Sequence, residues 1–448
     1  MSEAEIAFPK CVLALLDRLE SVGFEAYLVG GCVRNALMGR ECHDYDITTS
    51  ALPEEIKQVF SDMRILETGI KHGTVTVISE EISAEITTYR TDGIYTDRRH
   101  PQNVTFTANL KEDLSRRDFT VNAIAYSEKR GIVDLFDGIA DLKKGILCCV
   151  GEALKRFEED ALRIMRGLRF MSEYGFKPEE KTAAALHEKK ELLNEISAER
   201  INSELSRLLC GNSDHLIYVL REYWDIFAVL IPEIADCQGF EQHTHYHDRD
   251  VWEHTIAAAC SIEPVLHLRL TMLLHDLGKP AAYSFYNGAG HFKGHGSISA
   301  DICKRTMSKL RFDNETSQKT LFLIERHDMV MTDDAVLIKK HLNRFGSELY
   351  FDLLKVHIAD DMAKSPEAQG RIVVYRSAEE IARKIIRENE CYSLKKLEIN
   401  GNDIMKLGFT GKDIGYALDF LLNAVIEGKC SNVKDDLSRY LEQNRNNI

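Results

Sequence analysis

Nowhere does this sequence reach the ~20 consecutive apolar residues that a membrane-spanning helix needs, and its first ten residues, MSEAEIAFPK, have neither a basic start nor an apolar stretch. No membrane span and no secretory leader are therefore expected. The eleven cysteines contain no CxxC and no zinc-type pairs; Cys148 and Cys149 are adjacent and the others are scattered. Reduced, mostly buried thiols and a cytoplasmic location are the expectation. There is no low-complexity linker and no obvious repeat. Positive charge is not in excess either: 57 Lys and Arg face 71 Asp and Glu, a net of −14. That excludes a chain that coats nucleic acid over its whole surface, but not a local basic groove. At 44% hydrophobic, 29% charged and 8% aromatic, the 448 residues read as globular, with about two to four domains.

The periodicity changes once along the chain. The first ~150 residues alternate helix and strand patterns: a helix through Val12–Ser21, an apolar run Ala26–Val29 ending at Gly30-Gly31, and strand-like stretches Gly73–Ile78, Ile82–Tyr89 and Asn103–Phe106. From Glu152 onward the pattern is helical almost throughout, and histidines crowd between His243 and His295. The expected fold class is α+β: a head at 1–150 with a small mixed sheet, an all-helical neck at 151–220, a helical module at 221–365 and a helical tail at 366–448.

The segment Leu28–Ser50 reads LVGGCVRNALMGRECHDYDITTS. A strand runs into two glycines, which let backbone N–H groups approach a phosphate, and the helix start adds positive potential. Arg34 falls early on that helix, placed for a phosphate. Asp44 and Asp46, two apart on a strand, face the same way and together suit Mg²⁺. A Gly-Gly turn and a DxD each occur by chance; in this order within about twenty residues they carry more weight.

The run GG…VRN…DYDITTS resembles motif A of the polymerase-β-like nucleotidyltransferases, specifically the class II CCA-adding tRNA nucleotidyltransferases and their relatives the bacterial poly(A) polymerases. The resemblance implies that Asp44 and Asp46 hold catalytic Mg²⁺ and that Gly31 and Arg34 contact the incoming nucleotide. Asn35 stands where the family usually has Asp. Glu85, in AEITTYR, is either a third acidic ligand or a solvent-facing strand residue. Asp113–Ala123, DLSRRDFTVNA, resembles the family's RRDFTxNA motif and implies that Arg117 reaches the nucleotide.

Arg156–Phe170, RFEEDALRIMRGLRF, reads as one helix on which Asp160, Arg163 and Arg166 follow at three-residue steps and share a stripe, with Gly167 leaving room for a flat ligand. A charge-paired surface helix would look the same. The run resembles the class II EDxxR motif, in which a carboxylate and an arginine read the base edges of CTP and ATP. Asp accepts from the exocyclic amine that both bases have and Arg donates to ring acceptors. On that resemblance Asp160 and Arg163 select the base, and Arg166 and Arg169 support the phosphates or the motif.

Further on, His254, the dipeptide His275-Asp276 in LLHDLGK, His295, His327 and Asp360 follow in the order H…HD…H…H…D. This resembles the HD phosphohydrolases and implies a second divalent metal, with imidazole and carboxylate suiting Mn²⁺, Ni²⁺ or Zn²⁺. A degenerate, structural HD fold is the alternative. His243, His245 and His247 read as loop residues. In the tail, Gly401–Met405 and Gly408–Gly415 resemble the tail motif of HD-containing members, a plausible RNA-phosphate contact. The stripe Arg371, Arg376, Arg383, Lys384 and Arg387 is either basic surface for RNA or ordinary solvated helix.

The expected function is template-independent addition or repair of the 3′-terminal CCA of tRNA from CTP and ATP, with phosphohydrolase activity in the HD module and no membrane partner. Same-fold rivals are a poly(A) polymerase or a CC- or A-adding enzyme; by the resemblance, CC-adding members lack part of a loop that Arg90–Pro101 has at full length, which implies addition of all three nucleotides. A phosphohydrolase with a nucleotide-binding head is the rival of another class.

Overall fold

A computed structural model describes residues 6–42, 44–79, 82–93, 104–244 and 248–445. Most of the Arg90–Pro101 segment, and His245 and His247, lie outside the described residues. The chain divides into two compact units, Met1–Pro232 and Glu233–Ile448.

The first unit is built on a seven-stranded sheet. Its spatial order is Arg64–Leu66, Thr74–Ile78, Ser83–Thr88, Tyr45–Thr49, Ala26–Val29, Ile124–Ser127, Gly131–Asp134. The sheet is mixed: Tyr45–Thr49 runs parallel to Ser83–Thr88 and antiparallel to Ala26–Val29. Strand alternation sorts the side chains. Ala26 and Leu28 enter one core with Tyr45 and Ile47, whereas Tyr27 and Val29 enter another with Tyr89 and Leu114. The helix Lys10–Ser21 covers the first core with Val12, Leu15, Leu16 and Leu19 at helical spacing. Each such side chain, once buried, contributes on the order of 1.5–3 kcal/mol. Because Tyr45 and Ile47 point to one core, Asp46 and Thr48 point to the opposite face.

The rest of this unit is mostly helical, including Leu162–Tyr174, Ala198–Leu209 and Ser213–Glu222. One expectation fails here. Arg156–Phe170 is not one helix: Ala153–Glu159 ends at Asp160, which is extended (φ −138°, ψ 101°), and Leu162–Tyr174 starts afresh. The physical reason is local. The Asp160 carboxylate accepts from the Leu162 backbone N–H at 3.1 Å, as a helix-capping residue does, and so starts a new helix.

In the second unit, Val251–Ser261, Leu266–Leu274, Asn314–Ile324, Ser347–Met362 and Ile372–Arg387 pack around one apolar core, and Asp413–Ile426 gathers a smaller one. The helical reading misses a hairpin, Ser284–Tyr286 with Ala289–His291, turned by Asn287-Gly288 with both residues at positive φ. Asn-Gly is a strong hairpin signal, and it was legible in the sequence. Among the described residues no helix is long and apolar enough to cross a membrane.

Candidate functional site

Asp46 lies in register with Glu85 on the neighbouring parallel strand. Asp44 immediately precedes its strand, and all three carboxylates line one cleft of about 770 Å³ in the first unit. Burial raises the Asp46 pKa, Arg117 opposes the shift and Asp44 adds to it. Glu85 is raised by burial and then by the charges of Asp46 and Asp44. Three carboxylates gathered at one cleft, two of them with raised pKa values, are a donor set suited to a hard divalent cation. Glu85 is exposed, and its side chain lines this cleft beside Asp46.

Cationic side chains line the same cleft. Gly30 adopts φ +77°, and a Cβ there would lie 3.2 Å from the Arg117 guanidinium and 3.6 Å from the Asp46 carboxylate. Only glycine keeps backbone, Arg117 and Asp46 this close. Arg34 is 5% exposed; it donates to Asn122 Oδ1 at 2.5 Å and to the Tyr174 hydroxyl at 2.8 Å, and its guanidinium lies over the Tyr174 ring. Asn122 in turn donates to Asp118, which receives two hydrogen bonds from Arg166 at 2.9 and 2.7 Å. Burial works against the Asp118 charge, yet Arg166 and Asn122 hold its pKa well below the carboxylate range. This chain from Arg34 to Arg166 lines the cleft. Asp118, Asn122 and Tyr174 were missed as site residues, although the first two stand inside the RRDFTVNA run.

The neck residues divide. Arg166 and Arg169 line the cleft, Arg169 being buried and paired with Glu204 at 2.5 Å and Glu173 at 2.6 Å. Asp160 and Arg163 are not among its lining residues. Asp160 pairs with Arg200 at 3.1 Å, and Arg163 pairs with Glu159 at 2.9 Å and donates to the Arg116 carbonyl at 2.7 Å. Gly167 makes room not for a ligand but for protein: a Cβ there would meet the Phe119 ring at 3.3 Å.

The second unit assembles the other predicted set. His254, His275, Asp276 and Asp360 present ligand atoms within 4.8 Å of one another, as do Asp276, His295 and His327, and all six residues are buried. His254 Nε2 lies 3.0 Å from Asp360 and 3.2 Å from Asp276, and His295 Nε2 lies 3.2 Å from Asp276. Each imidazole faces a backbone carbonyl through Nδ1: Ala363 for His254, Met272 for His275, Phe292 for His295 and Ile324 for His327. With Nδ1 turned to these carbonyls, each Nε2 points to the centre. The Nε2 atoms of His295 and His327 then face each other at 3.0 Å, and the buried Nε2 of His275 lies 3.2 Å from Asp276 and 3.4 Å from Asp360. Two imidazole nitrogens this close need a proton or metal between them, and a set of imidazoles and carboxylates fits a transition metal. Lys279 and Lys364 stand at the rim, 2.6 Å from Asp276 and Asp360. Gly278, two residues past the His-Asp pair, permits this packing; a Cβ there would fall 2.5 Å from the His295 carbonyl oxygen.

A mixed sheet with paired acids on adjacent strands, a Gly-Gly turn and an arginine wall defines the class: a nucleotidyltransferase. Known proteins agree. The family model described as poly A polymerase head domain matches residues 26–148, one described as probable RNA and SrmB-binding site of polymerase A matches 175–238, and one for tRNA nucleotidyltransferase domain 2 matches 297–441. The CCA-adding enzyme of Lactobacillus helveticus is 53% identical over 442 residues, 96% of each chain. Against the CCA-adding enzyme of Lactobacillus delbrueckii subsp. bulgaricus the 53% identical stretch covers 51% of this chain and only 55% of that one, about half its length. The Bacillus stearothermophilus CCA-adding enzyme, solved in complex with CTP, superposes with a TM-score of 0.73 at 29% identity, over 97% of both chains. The chain belongs to the CCA-adding enzymes, a family of tRNA nucleotidyltransferases.

Proposed function

We propose that the chain adds or repairs the 3′-terminal CCA of tRNA from CTP and ATP, in the cytoplasm. The observation that carries this reading is the pairing of Asp46 with Glu85 across adjacent strands, beside Asp44 and facing Arg117. Asp44, Asp46 and Glu85 would hold Mg²⁺, which supplies charge neutralisation at the reacting phosphate and acidifies the attacking 3′-hydroxyl. The chain's own residues do the positioning. Gly30-Gly31 brings backbone close to the triphosphate, Arg117 and Arg166 neutralise it, and Arg34 ties the helix Gly31–Leu37 to Tyr174 and Asn122. Asp160 and Arg163 read the base edge after exchanging their present partners Arg200 and Glu159. Residues 1–150 carry catalysis, 151–220 select the base, 221–365 form the metal-bearing helical module, and 366–448 contact tRNA.

The test uses tRNA lacking CCA, offered CTP, ATP and both. Wild type completes CCA only with both nucleotides; Asp44→Ala abolishes incorporation while tRNA binding persists. A long A tail with ATP alone supports the poly(A) alternative, and incorporation near wild type in Asp44→Ala removes the ligand assignment.

For the second unit we propose metal-dependent phosphoester hydrolysis, favoured over a structural remnant by four imidazoles held in ligand geometry. His254, His275, Asp276, His295, His327 and Asp360 would hold the metal, which supplies an acidified water, and Lys279 and Lys364 neutralise the phosphate.

A further inference from the structure

Arg34 is a buried cation held by neutral groups, and it lines the carboxylate cleft of the first unit. Every acceptor its guanidinium has among the described residues is an uncharged oxygen. These are the Asn35 amide at 2.9 Å, the Asn122 amide at 2.5 Å and the Tyr174 hydroxyl at 2.8 Å. Burying a charge with no counter-charge is costly, so a guanidinium left in this state at a cleft suits an anion that binds there.

Tyr174 does more of this holding than its one hydrogen bond suggests. It ends the neck helix Leu162–Tyr174, 140 positions along the chain from Arg34. The Arg34 guanidinium lies 4.5 Å from the Tyr174 ring centre, and that of Arg40, just past the helix Gly31–Leu37, lies over the same ring at 4.7 Å. Phe170, one turn earlier, lies 5.0 Å from the Arg34 guanidinium and 5.8 Å from the Tyr174 ring, and Phe176 stacks on that ring at 5.5 Å. The aromatic packing fixes the Tyr174 ring, and the ring fixes Arg34. An aromatic face attracts a cation without neutralising it, and a phenol accepts a hydrogen bond without bringing a charge. A carboxylate in the place of Tyr174 would hold the guanidinium as firmly but cancel its charge.

We propose that Tyr174 is a positioning residue for nucleotide binding: it holds the Arg34 guanidinium at the cleft with its charge uncompensated and so sets the affinity for the triphosphate of CTP and ATP alike. This role rests on the reading that Arg34 contacts the incoming nucleotide. Because Tyr174 acts through Arg34, it bears on the phosphates and not on the base, and the choice of C and A over U and G does not depend on it.

Equilibrium dialysis of CTP, ATP and inorganic tripolyphosphate against the full chain, in Mg²⁺ buffer without tRNA, reads this without turnover. Tyr174→Phe, which keeps the ring and loses the hydroxyl, binds all three about three- to tenfold more weakly, the size of one neutral hydrogen bond. Tyr174→Leu loses the ring as well and binds them about tenfold more weakly again. In addition to tRNA lacking CCA, the KM for both nucleotides rises by the same factors, kcat stays within about twofold, and misincorporation of U and G is unchanged. Circular dichroism melts of the same preparations show that each variant is folded. Wild-type affinity for all three ligands in both variants overturns the proposal, as does altered base choice at unchanged triphosphate affinity. Arg34→Gln separates the two readings. If it weakens binding of all three ligands and the Tyr174 variants do not, Arg34 meets the triphosphate without Tyr174, and only the positioning role fails. If Arg34→Gln binds them as wild type does, Arg34 does not meet the triphosphate and both readings fail.

Discussion

Asp46 folds at a cost. Its raised pKa, set by burial with Asp44 adding to it, means that its ionised form is less favourable in the folded chain than in the unfolded one. That penalty is fully present above the raised pKa and fades as the pH falls through it toward the ordinary carboxylate value. Asp46→Asn should therefore melt higher than wild type in metal-free buffer at neutral pH, with the gap closing on acidification. The same variant should lose most of the stabilisation that Mg²⁺ gives wild type. Calorimetry with and without Mg²⁺ over pH 4–8 checks both; a variant no more stable than wild type at neutral pH would count against carboxylate crowding. A second residue-level prediction concerns Arg163. If it reads base edges after leaving Glu159, Arg163→Ala should relax the choice of C and A over U and G, at ~1–3 kcal/mol per lost bidentate contact. Misincorporation assays decide; an enzyme that is slower but equally selective assigns Arg163 to holding Glu159 and the Arg116 carbonyl.

At the scale of the element, the turns decide more than the helices they join. Gly278 must be glycine because the start of the helix His295–Lys309 occupies the space its side chain would need. Gly278→Ala should push His295 from Asp276, lower the melting temperature by an overpacking cost of about 1–3 kcal/mol and reduce bound metal. Metal analysis alongside thermal denaturation measures both; full metal content in a stable variant would overturn the packing argument. Elements set by short-range pattern were legible in the sequence: Ala26–Val29 matches residue for residue, and Lys10–Ser21 begins two residues before the expected start. The break at Asp160 was not, because apolar spacing runs on through it while a side-chain hydrogen bond to Leu162 N–H redirects the backbone.

On the scale of the whole molecule, each compact unit carries its own centre from its own residues: carboxylates in Met1–Pro232, imidazoles and carboxylates in Glu233–Ile448. Hard oxygen donors favour Mg²⁺ and imidazoles favour transition metals, so the two chemistries should separate cleanly. Replacing His275 and Asp276 together by alanine should eliminate phosphoester hydrolysis and metal retention, yet leave CCA addition within a fewfold of wild type. Parallel assays of one preparation test this, and collapse of both activities would mean that the units depend on each other. The sequence by itself determined which side chains the fold gathers at each centre, because DYD, RRDFT and LLHDLGK keep their spacing within a strand, a turn or a helix end. Only the tertiary structure decided that Glu85 sits beside Asp46 and that Asp118 joins Arg34 to Arg166 through Asn122. Strand pairing, buried ion pairs and cavities depend on residues tens of positions apart, and no local period in a single chain encodes those distances.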